Sequence, residues 1–335
     1  MIVDILKACY PQEFALAGFS RQMTTTRKLV LFGCGAALGL GGWRLLRGRR
    51  PKGRIMDFEF GQSDKAEAFF NEHPNFSGQF EKLMSIANRC FGRLCQYNNR
   101  AEEMMFGLGQ TCCRDYLEIA FMGVHGFNIA TTKLLRGLYE RAVTHAYIIK
   151  NPEKVMKFIS FGAVQDYRVM KGVLEAGVSE EAFDRYMPPE KSVAKITERR
   201  NEVKDEFKVE ECEVCGMEAP MSWDKLSIGA MAKKAGPLYK AFYLGGYAIP
   251  NLHVHATLVS AVYLEGADEK TATAVRKYEA YSNMGQASAI VLFVLQEQNE
   301  LFKLGLEREL EAAEKAIAEE WFKIKTFKDH LARWE

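Results

Sequence analysis

Arg136 and Glu140 lie four residues apart in NIATTKLLRGLYERAVTHAYIIK, residues 128–150 of a 335-residue chain. On a helix that spacing is one turn, so the guanidinium and the carboxylate can pair. Such a pair has two readings. It fixes helix packing as a buried or half-buried ion pair, which is costly and adds little stability. Otherwise it works, with Glu140 as a base or metal ligand and Arg136 holding an anion such as phosphate. The distant partner expected for this pair is His255, with His253 as a second candidate. On a helix the side chains of those two histidines point about 200° apart and cannot share one metal. Only an extended segment would aim both the same way. The alternative for each is a hydrogen-bonded core or surface histidine.

Two further groups have metal-ligand character. Cys212-Glu-Val-Cys215 followed by Gly216 is half of a zinc knuckle, so zinc is the expected cofactor if there is one. No second Cys or His pair stands at loop spacing, which leaves an unligated surface loop and a redox role as alternatives. Asp115, Glu118, His125 and Asp166 fall on helices expected to flank residues 128–150. Paired carboxylates on neighbouring helices can hold metal, but the Glu-x-x-His spacing of di-iron bundles is missing. Solvated or locally paired side chains are the competing reading.

The element that must position these groups is the helix 128–150 itself. At 100° per residue, Leu135, Tyr139, Ala142, Val143, Ala146 and Ile149 share one face, which is expected to be buried. Arg136 and Glu140 lie on one edge of it, continued by Lys133 and Thr144. Arg141 and His145 form a separate stripe. Asn151-Pro152 stops the helix, because the residue before proline leaves the α region.

Composition permits a large core: 48% of residues are apolar and 26% charged. The net charge of +2 hides an asymmetry. Residues 1–56 hold ten Lys/Arg against two acids, and residues 57–335 hold 35 against 41. The mildly acidic body excludes a broad DNA-binding surface. Eight scattered cysteines read as reduced thiols.

Residues 29–46, LVLFGCGAALGLGGWRLL, are apolar apart from Arg44 and have basic residues on both sides. Their 18 positions are at the short end of what crosses a bilayer core of ~30 Å. The basic cluster Arg47 to Arg54 would hold the large C-terminal body in the cytosol. A membrane partner and an inner-membrane location are therefore expected. A buried or swapped helix, a leader segment and a glycine-rich dinucleotide loop are alternatives, and the first two leave the chain cytoplasmic.

From residue 57 onward the pattern is helix after helix. Ser63 caps a short amphipathic one ending near His73-Pro74. Others are expected at about 77–105, 111–126, 151–176, 180–187, 191–208 and 226–235. Pro237 starts one that ends before Pro250, and Asn251 caps LHVHATLVSAVYL. Asp268 caps a long helix whose segment Ser288–Leu295 should be fully buried. The fold expected is all-α, a multi-helix bundle of roughly eight to ten helices behind a candidate membrane helix. Its expected divisions are a leader (1–27), the anchor (28–48), a basic linker (49–62), the bundle (63–304) and a charged C-terminal helix (305–335).

Leu134-Leu-Arg-Gly-Leu-Tyr-Glu140, Tyr147-Ile-Ile, Asn151-Pro and Phe158, followed by Trp223-Asp-Lys-Leu, Met231-Ala, Gly236, Leu238-Tyr239, Tyr243 and Val254-His255, resemble a bacterial family known as a domain of unknown function. The resemblance spans roughly residues 80–300. It implies an all-α fold and points to Arg136, Glu140 and His255 as shared polar positions. More distantly, a helical bundle with an Arg and a His is similar to the HEPN ribonucleases of toxin and antiviral systems. Their motif has four to six residues between Arg and His, whereas Arg141 and His145 have three. Two functions are thus expected. One is a regulatory module binding a ligand or partner, which includes a second copy of the chain. The other is a HEPN-like nuclease or phosphate-handling enzyme in toxin or phage defence, using Arg136, Glu140 and His255, with RNA as partner in that case alone.

Overall fold

A computed structural model describes residues 63–93, 97–207, 222–255, 269–323 and Phe327. The chain divides into two units, Met1–Pro74 and Asn75–Glu335. In the first, α1 (Ser63–Glu72) has the expected bounds, and the Phe69 ring lies 5.0 Å from that of His73. The expected anchor at 28–48 lies outside the described residues. Among those described, no helix is long and apolar enough to cross a membrane.

The second unit is built on three long helices: α3 (Arg100–Val124), α4 (Asn128–Lys150) and α11 (Glu269–Phe302). These three pack most extensively on one another. Ahead of α3 lies α2 (Phe76–Phe91). Between α4 and α11 come α5 (Val155–Glu175), α6 (Glu180–Tyr186), α7 (Val193–Val203), α8 (Ile228–Ala235), α9 (Pro237–Ala241) and α10 (Ile249–Val254). After α11, α12 (Glu307–Ile317) packs against α2 and α11. The described residues thus hold twelve α-helices and no strand, more than the eight to ten expected.

The boundaries that differ from those expected have local causes. The expected helix at 77–105 is broken at Gly92, and α3 starts again at Arg100. Asn99 caps it through Oδ1, which accepts from the Glu102 N–H at 3.0 Å, while the Glu102 carboxylate accepts from the Asn98 N–H at 2.7 Å. The first satisfies an orphan donor of the opening turn, and the second fixes the residue before the cap. At the other end of α3, Gly126 has φ +76°; its N–H reaches Gly123 O and that of Phe127 reaches Met122 O. That Schellman pattern needs a left-handed residue, which glycine supplies without strain. It turns the chain straight into α4.

Proline does not stop the helix at 250. Leu244–Ala248 is a π-turn in which the Ile249 N–H reaches back five residues to Leu244 O, and Pro250 sits in the first turn of α10. The wider turn accommodates a ring that would clash inside a regular α-helix. Asn251 is accordingly inside α10 and does not cap a new helix. His253 is in the last turn, and His255 is the extended C-terminal residue, with ψ 156°. Asn151 closes α4, where its place before Pro152 puts the stop: its amide donates back to Tyr147 O at 2.7 Å, and Pro152–Lys154 form a 3-10 turn before α5.

The core follows from α4 and α11. All of Ser288–Leu295 is buried, as its apolar run requires. Helix α4 is buried almost all round, because α3, α11, α8 and α10 each pack on it. A single apolar face was expected; Thr131, Thr132, Thr144 and His145 are buried as well, and Ile149 is only half-buried. A helix enclosed in this way must find an interior partner for every polar side chain.

Candidate functional site

The polar residues of α4 find their partners in three places. The first lies under the π-turn. Arg136 Nη2 donates to Glu140 Oε1 at 3.0 Å, with side chains 24% and 31% exposed. The guanidinium lies 5.3 Å from the ring centre of Tyr247. Tyr247 in turn packs on Tyr243 at 5.6 Å and on Tyr139 at 6.2 Å. Arg136 Nε is buried with no hydrogen-bond partner among the described residues. The half-buried pair expected from the spacing is therefore present, and an unanswered donor accompanies it. No hydrogen bond or ion pair joins either residue to His255, although α10 packs on α4.

Gly246 explains how close the π-turn comes. A Cβ there would lie 2.7 Å from Tyr139 Cδ2, and the Tyr139 ring is buried and tied by its hydroxyl to Tyr239 O. Gly246→Ala is expected to cost about 1–3 kcal/mol by overpacking. Gly78→Ala on α2, where nothing lies within 4 Å, should instead stabilise by roughly 0.5–1 kcal/mol. Urea melts of the two variants check the contrast.

The second place is the core between α3, α4 and α11. Arg141 makes a two-pronged bond to Asp115, Nε to Oδ2 at 2.7 Å and Nη2 to Oδ1 at 2.8 Å. Those bonds raise the Arg141 pKa further above its ordinary value. His145 is fully buried, and its Nδ1 donates to Glu297 Oε2 at 2.9 Å. The Tyr239 hydroxyl donates to the same oxygen at 3.0 Å. Gln298 Nε2 donates to Met105 O at 2.9 Å and to His145 Nε2 at 2.7 Å. This network assigns the imidazole proton to Nδ1 and the lone pair to Nε2. Burial, then the charge of Glu297, pushes the Tyr239 hydroxyl well above its usual range. The Arg141–His145 stripe is thus committed to interior partners and presents no open Arg–His pair.

The third place is the C-terminal end of α4. The Tyr147 hydroxyl donates to Asp224 Oδ2 at 2.6 Å, and Lys154 donates to the same oxygen at 2.5 Å. Lys157 reaches Asp224 Oδ1 at 3.4 Å. Burial alone would raise the Asp224 pKa, but the bonds from Lys154 and Tyr147 outweigh it and hold the carboxyl below its ordinary value. Burial first, and then the bond to Asp224, raise the Tyr147 pKa.

The expected acidic metal set does not assemble. Asp115 is taken by Arg141, and Asp166 pairs with Lys191 at 3.2 Å and Arg199 at 3.3 Å. Glu118 is exposed, and His125 Nδ1 bonds Phe121 O at 2.8 Å. Among the described residues no three or more His, Cys, Asp or Glu are grouped to hold a metal. Cys212 and Cys215, the expected zinc ligands, lie outside the described residues. Cys112 and Cys113 are buried, and that burial pushes both thiols far up, which makes them inert.

Asp224, Tyr239, Glu297 and Gln298 escaped the sequence reading as functional candidates. One signal existed: Glu297-Gln-Asn299 interrupts a helix at the end of a run buried on every side, so its polar groups needed partners within the core.

No curated protein and no solved structure matches the chain. Residues 102–272, which take in α4, the π-turn, Asp224 and His255, match the Family of unknown function (DUF5677), and the chain belongs to that family.

Proposed function

We propose that this chain is a ligand-binding helical module and that its site is the Arg136–Glu140 edge of α4 beneath the π-turn. The ligand would be a small molecule held through a carboxylate. The reading rests on one observation: Arg136 is half-buried against Tyr247, and its buried Nε has no acceptor among the described residues. An unanswered buried donor costs about 1–3 kcal/mol. A guanidinium fork suits a planar carboxylate, and π-turns recur at functional sites. In this reading Glu140 orients the guanidinium.

A panel of small mono- and dicarboxylic acids, screened by thermal shift, tests this. At a hundredfold excess over Kd a binder stabilises by about 2.7 kcal/mol. That shift should vanish in Arg136→Gln. An equal shift in the variant, or none in the wild type across the panel, would sink the proposal.

The apolar, basic-flanked segment 29–46 supports the further proposal that the module is tethered to a membrane with its body on the cytosolic side. The full chain is expected in the membrane fraction, and the chain without residues 1–56 in the soluble one. A full chain that is soluble by itself removes the tether.

A further inference from the structure

The C-terminal end of α4 has a charge balance unlike that of the rest of the body. Acids outnumber bases across residues 57–335, yet four lysines gather around Tyr147. Lys154 Nζ bonds both Asp224 and the Tyr147 hydroxyl, the latter at 2.7 Å, and lies 5.2 Å from the centre of the Tyr147 ring. Lys157 bonds Asp224. Lys234, in the last turn of α8, is 6.0 Å from the same ring centre. Lys150, the last residue of α4, donates to Ala235 O at 2.5 Å. Asp224 is the only carboxylate paired with any of the four among the described residues.

Two helix C-termini offset part of this charge, since Lys150 and Lys234 lie where the dipole favours cations, but each terminus contributes only about half a charge. Every ammonium has three donors. The bonds above use two on Lys154, one on Lys157 and one on Lys150. Trp223 and Phe158 form an apolar floor, with ring centres 5.2 Å apart, and Trp223 packs on Tyr147 at 5.8 Å. Lys154 and Lys157 are 29% and 26% exposed, reachable but partly shielded from salt.

We propose that Lys150, Lys154, Lys157 and Lys234 form a second binding site, ~16 Å along α4 from Arg136, for a phosphoryl group carrying two or more negative charges. Surplus positive charge calls for a polyanion. Lysines act as point charges suited to phosphate, whereas a planar carboxylate favours the fork of an arginine. Asp224 is a positioning residue that draws Lys154 and Lys157 to one side of the Tyr147 ring's hydroxyl.

The competing role is purely structural, a staple of α5 and α8 onto α4. Calorimetry with inorganic pyrophosphate on the full chain at low salt separates the two. Saturable one-site binding is expected. Lys157→Met and Lys234→Met should each weaken it by about tenfold or more, and Lys195→Met, at an exposed lysine paired with Glu198, should not. Among the described residues Lys234 makes a ring contact and no ion pair, so its removal should leave the bonds that hold the fold, which a melting curve checks. Arg136→Gln should leave pyrophosphate binding unchanged, so this site and the carboxylate site fail separately. Vesicles containing phosphatidic acid locate the source of the phosphoryl group. Binding confined to them, and lost in Lys157→Met and Lys234→Met, assigns a lipid headgroup; pyrophosphate binding assigns a free ligand. No binding to either probe, or equal affinity in Lys157→Met, Lys234→Met and Lys195→Met, overturns the site.

Discussion

His145→Ala is expected to cost about 3–5 kcal/mol, the sum of a core cavity and of two buried polar groups that each lose their imidazole partner. The imidazole has no exposed surface and engages both nitrogens. Its loss leaves a cavity and takes the donor from Glu297 and the acceptor from Gln298 at once. Gln298 already has a buried Oε1 without a donor, so the network has no slack. Only Tyr239 would remain on Glu297 Oε2. For a body of this size the melting temperature should fall by roughly 6–20 °C. A double-mutant cycle with Glu297→Gln should show strong coupling, because both changes remove the same bond. Additive effects would mean that the His145–Glu297 bond contributes nothing of its own.

Asp224→Ala should cost about 2–4 kcal/mol at neutral pH: it leaves the Tyr147 hydroxyl without its acceptor beside an apolar floor, while Lys154, 29% exposed, recovers part of its loss from water. Its pH dependence has a definite sign. The folded-state pKa of Asp224 is lowered. Its contribution is therefore complete above the unfolded value of about 3.9 and is lost as pH falls through the folded value. Lys154 has the opposite shift, raised chiefly by its bond to Asp224 and next by the one to Tyr147. Its share is complete below the unfolded value of about 10.4 and is lost as pH rises through the folded one. The stability gap between wild type and variant should thus be flat across the neutral range and shrink in acid. Urea melts at pH 7 and at successive steps below pH 4 measure it. A gap that widens in acid would contradict the assignment.

Local features of the fold were readable from sequence where the chain carries its own signal. Helix α4 begins and ends at the residues its pattern indicates, Asn128 and Lys150. Ser179 caps α6 by accepting from the Ala182 N–H at 3.2 Å, and the run Ser288–Leu295 is buried because nothing in it tolerates water. The break between α2 and α3 was also legible, in Gly92 and in the Asn99-to-Glu102 spacing, though the apolar periodicity running across it is the louder signal. Pro250 misled, because a proline reads as a stop unless the turn before it has widened, and no local pattern announces a π-turn. What could not be read is partnership over long distance. Helical periodicity placed His145 on a polar stripe away from the core, but its bonding partners are 152 and 153 positions later. The Arg136–Glu140 pair was legible because both members sit on one turn. The tyrosines beside it were not, since Tyr247 reaches Arg136, and Tyr243 packs on Tyr247, only after five further helices, α5 to α9, have been laid down.

That separation has a consequence for how the protein is made. Helix α4 leaves the ribosome with its buried histidine unpaired, and Glu297 follows 152 residues later. At a synthesis rate of ~5–20 residues per second, the wait is about 8–30 s. Throughout that interval α4 has α3 beside it but no α11 to pack on, and the face that α11 covers, His145 included, stays open. The body therefore closes late, around α11. Nascent chains that stop short of α11 leave α4 open to chaperones and to aggregation.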